Sequence, residues 1–86
     1  MEHRIAVIGI IAENYDSVEK LNSLLHDYAG YIVGRMGIPY RERHVNIISV
    51  AVDAPQDVIS TIAGKIGMLE GISAKAAYSS RVFPEA

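Results

Sequence analysis

No cysteine occurs among the 86 residues, which removes disulfide staples, thiolate metal sites, iron–sulfur clusters and cysteine nucleophiles together. The cytoplasm is the default compartment for such a chain. No long hydrophobic run is present either: the longest apolar stretch, Ile5–Ala12, is far short of the roughly 20 residues that cross a bilayer, so no membrane association is expected. Arg4 ahead of that run faintly resembles the start of a secretory leader, yet no small-residue cleavage site follows Ala12. An excess of positive charge is missing as well. Eight Lys and Arg against ten Asp and Glu leave a formal charge of -2, which argues against a free-standing nucleic-acid binder, whose affinity rests on cations neutralising phosphates.

Half of the residues are hydrophobic and 21% are charged, far from the polar composition of disordered chains, so the chain folds. A domain this small buries only roughly 60–65% of the surface its unfolded chain exposes. A partner subunit would add to that thin core.

Ile5–Ala12 is apolar on both alternating faces and reads as an interior first strand. Asp16 and Glu19 have capping-box spacing, so a helix is expected from there. Its stripe is Val18, Leu21, Leu25 and Tyr28, and Gly30 ends it. Tyr31–Gly37 reads as a second strand, broken by Ile38-Pro39-Tyr40 because proline lacks the ladder N–H. Arg41–His44 is a polar connection, and His44–Val52 a third strand apolar on both faces. Asp53 and Gln56 repeat the capping-box spacing, with Pro55 in the first turn. The second helix carries Ile59, Ile62 and Ile66 and closes over Gly67–Gly71, before a last strand near Ile72–Ser79. Residues 1–80 form the expected single domain, with a frayed tail from Arg81 to Ala86.

Val18, Leu21, Leu25 and Gly30 precede Ile59, Ile62, Ile66 and Gly71 by a constant offset of 41. Two β-α-β units in one small sheet give an α+β, ferredoxin-like βαββαβ fold: a four-stranded antiparallel sheet of order 4-1-3-2 with two helices on one face. Right-handed crossovers put strands one and three in the middle, where they are expected to run parallel to each other.

Helices cover one side of such a sheet, yet both central strands are apolar on both sides. Ile5, Val7, Ile11, Ile48, Val50 and Val52 form the bulkier alternating set and are assigned beneath the helices. The flatter set, Ala6, Ile8, Ile10, Ile47, Ser49 and Ala51, is assigned to the open face. Leaving Ile8, Ile10 and Ile47 in water would forgo roughly 5–9 kcal/mol at roughly 1.5–3 each. The expectation is a homodimer or dimer of dimers with Ile8, Ile10, Ile47 and Ser49 at the interface.

This fold hosts many functions, so function is argued from sites. An RNA-recognition domain needs aromatic residues on its central strands, and His44–Val52 has none. Acyl-phosphate hydrolysis would need an arginine and glycine loop after strand one, where Ala12–Asp16 presents carboxylates instead. His3, His26 and His44 match no ligand signature; His3 and His44 would lie together if they begin parallel neighbours. Gly64-Lys65-Ile66-Gly67 has the spacing of a phosphate-clamping loop but falls inside the second helix's pattern. No serine, histidine and acid set and no spaced pair of carboxylates is visible. No catalytic residue, cofactor or metal is expected, and the chain is not read as an enzyme.

The run Arg35-Met36-Gly37-Ile38-Pro39-Tyr40-Arg41-Glu42, the apolar strand Asn46–Val52, and Gly64-Lys65-Ile66-Gly67 followed by Gly71-Ile72 resemble the small family of iron-only hydrogenase system regulators. Its members are also described as ACT-like or as resembling the effector domain of nickel-responsive repressors. The resemblance spans nearly the whole domain. It implies a ferredoxin-like oligomer tied to maturation or regulation of [FeFe]-hydrogenase in anaerobic bacteria. ACT domains bind small molecules at subunit interfaces through a glycine-containing loop after strand one; here Ala12–Asp16 has no glycine. The cysteine of the nickel site and the DNA-binding arm also have no counterpart.

The resulting expectation is a regulatory or ligand-sensing module. Its small-molecule effector would sit near Glu13, Asn14 and Asp16, or at the turn holding Arg35 and Arg41. The alternative is an adaptor that meets a protein partner through Gly37–Arg43 or a sheet edge; direct DNA binding ranks third.

Overall fold

The computed structural model describes residues 2–84. The chain runs β1 (Arg4–Ala12), α1 (Val18–Asp27), β2 (Ile32–Tyr40), β3 (Val45–Ala54), α2 (Gln56–Gly67) and β4 (Ile72–Tyr78). One four-stranded sheet of order β2-β3-β1-β4 carries both helices on one face, which is the ferredoxin-like α+β arrangement.

All three strand pairings are antiparallel. The central strands β1 and β3 therefore do not run parallel, contrary to expectation. Each crossover skips one strand, so the parallel relatives are β1 with β2 and β3 with β4, and the strand between each pair opposes both.

The helix-facing rows of the sheet follow from the register. Ile8 stands opposite Val50, and Ile10 opposite Ile48. These residues pack with Leu21 and Leu25 of α1 and Ile59, Ile62 and Ile66 of α2 into one core. Ile8 is 0% exposed and Ile10 1%, so the face assigned to β1 from sequence is reversed, while that of β3 stands. Ile5, Val7 and Ile11 face away from the helices. The cause is local: helices crossing a sheet end come close to the backbone, and the small Ala6 and Ala12 at the two ends of β1 belong on the crowded side.

Several boundaries shift for identifiable reasons. The first helical turn, a 3-10 segment at Tyr15–Ser17, is capped by Asn14, whose Oδ1 accepts from the Asp16 N–H at 2.9 Å. Asp16 is thus not the cap. Asp53 is not a cap either: it lies in β3 and meets His3 Nδ1 at 2.8 Å, leaving Pro55 to open α2 without a side-chain cap. Pro39 does not break β2, which continues to Tyr40; β2 is an edge strand, where a missing N–H is tolerated. A bulge between Ile32 and Gly34 turns Val33 out of the ladder.

The tail is not frayed through Pro84, since His3 and Phe83 exchange two backbone hydrogen bonds of 2.7 and 2.8 Å. Arg81 lies 4.6 Å from the Phe83 ring centroid, a cation–π contact that holds the same segment. Glu85 and Ala86, also assigned to the tail from sequence, lie outside the described residues.

Candidate functional site

At one end of the sheet three connections converge, because Ala12 of β1, Asn46 of β3, Pro39 of β2 and Ile72 of β4 share one row. Glu13, Asn14 and Asp16 leave β1 there. They are stitched to the α2–β4 connection: the Glu13 N–H donates to the Gly71 carbonyl at 2.7 Å, and the buried Ser17 hydroxyl donates to the Glu70 carbonyl at 2.7 Å. Asn14 spends its side-chain oxygen on the cap. Its Cβ presses on Gly71, where an added methyl would come within 2.6 Å of it. The loop is closed by hydrogen bonds of its backbone and polar side chains, and Glu13, Tyr15 and Asp16 are its exposed residues.

Arg41 sits at the same end of the sheet, in the exposed 3-10 turn Arg41–Arg43, with β3 between it and the β1–α1 loop. His44 closes that turn with a left-handed φ of 55°. Arg35 does not belong to it. It lies in mid-strand, opposite Val50 on the helix face of β2, and donates to Asn22 Oδ1 of α1 at 2.9 Å.

Arg35, Asn22, Leu25, His26, Ala29 and Ile32 line a depression of about 300 Å³ between α1 and β2. Its origin lies in the path of β2. Val33 is turned outward at the bulge, and only Ile32 reaches the core margin. On α1, Asn22, Leu25 and His26 lie at spacings of three and four along one stripe of the helix surface, and Ala29 follows in the 3-10 turn Ala29–Tyr31.

The three histidines are dispersed. His3 and His44 occupy opposite ends of the sheet because β1 and β3 are antiparallel, and His26 is on α1. Among the described residues no group of three or more His, Asp or Glu is placed to hold a metal. The Lys65 ammonium of α2 donates a hydrogen bond of 3.0 Å to the Tyr28 hydroxyl, and that bond, with the Coulombic attraction of the same oxygen, raises its pKa above the usual lysine value; the Tyr28 ring centroid lies 5.4 Å from the ammonium. Gly64-Lys65-Ile66-Gly67 lies within α2, so it forms no clamping loop.

The sheet face opposite the helices is the largest apolar surface. Its first row reads Ile38, Ile47, Ile11 and Ser73 across the four strands. The next reads Met36, Ser49, Gly9 and Lys75, and the third Gly34, Ala51, Val7 and Ala77. Ile11 and Ile47 are each 40% exposed, Ile38 50% and Met36 63%. Of the four interface residues expected from sequence, Ile47 and Ser49 lie on this face, and Ile8 and Ile10 lie beneath the helices. Val7, Ile11, Met36 and Ile38 also lie on this face, the first two having been expected beneath the helices. Both alternating sets of β1 are apolar, so its phase could be found only through its pairing with β3.

A family model described as "TM1266-like: Iron-only hydrogenase system regulator, putative" matches residues 4–76. The chain belongs to that family. Among solved structures, "uncharacterized protein TM1266 from Thermotoga maritima" is similar, with 27% identity and a TM-score of 0.84 over 88% of this chain and 96% of the other. No curated protein matches the chain. The TM1266-like match takes in the whole open sheet face except Ala77, together with the α1–β2 depression. No described helix is long and apolar enough to cross a membrane.

Proposed function

We propose that this TM1266-like chain is a non-catalytic regulatory module of the iron-only hydrogenase system, acting in the cytoplasm as a homo-oligomer whose copies meet through the open sheet face. The family description supports the regulatory part. The observation that carries the assembly is Gly9. It sits mid-way along a central strand, where glycine costs about 0.5–1 kcal/mol relative to a residue with a side chain. Nothing inside the chain requires it: its φ is not positive, and an added Cβ would meet only the Lys75 carbonyl at an ordinary 3.9 Å. A shallow hollow of about 360 Å³ lies over Gly9, bordered by Ile11, Ile47, Ser73 and Lys75. A hollow of that kind in an apolar sheet receives a side chain or strand approaching from outside.

A second copy suits the surface. Across the three rows Lys75 is the only charged residue, and it stands on the edge strand β4, where its ammonium group can stay in water while its aliphatic stem lies along the face.

The test is sedimentation velocity on the wild type and on Gly9→Val. The wild type sediments as a dimer or larger, and Gly9→Val as a monomer that, compared at concentrations where the wild type has itself dissociated, unfolds at the same or higher denaturant concentration, because valine favours a strand. A monomeric wild type, or a Gly9→Val protein that associates unchanged, overturns the assembly. The regulatory half is read separately, as a change in [FeFe]-hydrogenase transcript or activity when the chain is removed from its host and restored.

A further inference from the structure

The depression between α1 and β2 has the composition of a ligand site. Its floor is apolar, made by Leu25, Ala29 and Ile32, and its rim carries Asn22, His26 and Arg35. Asn22 Oδ1 holds the Arg35 guanidinium at 2.9 Å, which orients the fork and leaves its remaining N–H groups for another acceptor. Among the described residues Arg35 has no salt-bridge partner, and no carboxylate lines the depression. A volume of about 300 Å³ lies at the small end of ligand pockets and fits a molecule of a few carbons.

From these features we infer that the depression binds a short-chain apolar monocarboxylate, with the carboxylate on Arg35 and the aliphatic part on Leu25, Ala29 and Ile32. The planar guanidinium pairs with a carboxylate through two parallel hydrogen bonds. Asn22 and His26, one helical turn apart on the same face, supply further polar contacts at the rim. A zwitterionic amino acid of the same skeleton is disfavoured, because its ammonium group, next to its carboxylate, would be held close to the Arg35 guanidinium with no carboxylate in the depression to offset the repulsion. The site lies on the helix side of the sheet, so a ligand there does not compete with stacking on the open face. The inference supplies the effector of the regulatory reading and rests on that reading only for its biological meaning.

The experiment is a titration of isotope-labelled protein followed by amide NMR shifts, with isovalerate, isovaleramide and leucine as probes. Isovalerate is expected to shift amides of Asn22–Arg35 and saturate below about 20 mM, since a ligand of so few atoms reaches affinities near the millimolar range. Isovaleramide and leucine bind at least about tenfold more weakly, because each removes or opposes the charge pairing. Arg35→Gln, at an exposed position, keeps the wild-type thermal midpoint and loses isovalerate binding. No saturable shift with isovalerate, equal binding of the amide or of leucine, or unchanged binding by Arg35→Gln overturns the inference. Sedimentation of the same samples reads the assembly independently, so loss of one does not entail loss of the other.

Discussion

Gly71 holds a φ of +72° with the Asn14 Cβ against it, so two penalties meet in one residue. Gly71→Ala should lose more than about 1 kcal/mol in urea unfolding, the left-handed strain being added to a contact too short to keep. Gly30, its counterpart in the repeat, has no positive φ and open space around it; the same substitution there is expected to be tolerated. The repeat is legible in sequence, but the different work of its two glycines is not, because φ depends on what the chain meets next. A second pair tests the faces of β1. Ile8→Ala should cost about 2–5 kcal/mol, as a fully enclosed isoleucine does. Ile11→Ala should cost less than Ile8→Ala at concentrations where the protein is monomeric, because Ile11 is 40% exposed. Equal losses at the two positions would contradict the face assignment.

The elements themselves were readable wherever one face is polar. The helix stripes Leu21–Leu25 and Ile59–Ile62–Ile66 could be taken directly from spacing and are buried as expected. The phase of β3 was legible because Ser49 marks its outer side. Caps were misplaced because Asn14 and Asp16 both suit a cap by residue type, and only the backbone path decides between them. Pro39 read as a break since sequence does not reveal whether a strand is central or at an edge.

Between elements, Lys65 of α2 reaches Tyr28 at the end of α1, and this gives a pH dependence. The Lys65 pKa is raised in the folded protein, first by the Tyr28 hydrogen bond. The group therefore stabilises the fold below its ordinary value of 10.5, and that contribution disappears as pH rises through the folded pKa. Lys65→Gln should flatten the loss of stability seen by circular dichroism above pH 10.5 and leave the neutral range nearly unchanged, because the pair is exposed.

At the scale of the whole molecule, a small domain with an uncovered apolar face should gain stability by mass action. If copies associate through the face bearing Ile11, Ile38 and Ile47, the thermal midpoint of the wild type rises with protein concentration. Ile11→Asp, which places a carboxylate in the middle of the isoleucine row, should give a midpoint independent of concentration. A wild-type midpoint that does not move over a hundredfold dilution range, about 2.7 kcal/mol of linkage, would count against self-association. Sequence disclosed that such a face exists, since two central strands were apolar on both sides. It placed Arg35 with Arg41 at a turn, whereas β2 runs on past Pro39 and leaves Arg35 in mid-strand. The α1–β2 depression stayed hidden because it depends on the bulge that turns Val33 outward, and nothing in the residue pattern of β2 announces that bulge.

The outer margin of β2 bears on how any such molecule can multiply. A strand arriving alongside it would meet a proline with no amide proton at position 39 and a bent backbone at the Ile32–Gly34 irregularity, two of the devices that stop sheets from growing sideways. Open-ended ribbons are discouraged on that flank, whereas association through the broad surface, if it occurs as proposed, would end once both partners are covered, giving a closed particle of fixed size and not a fibre.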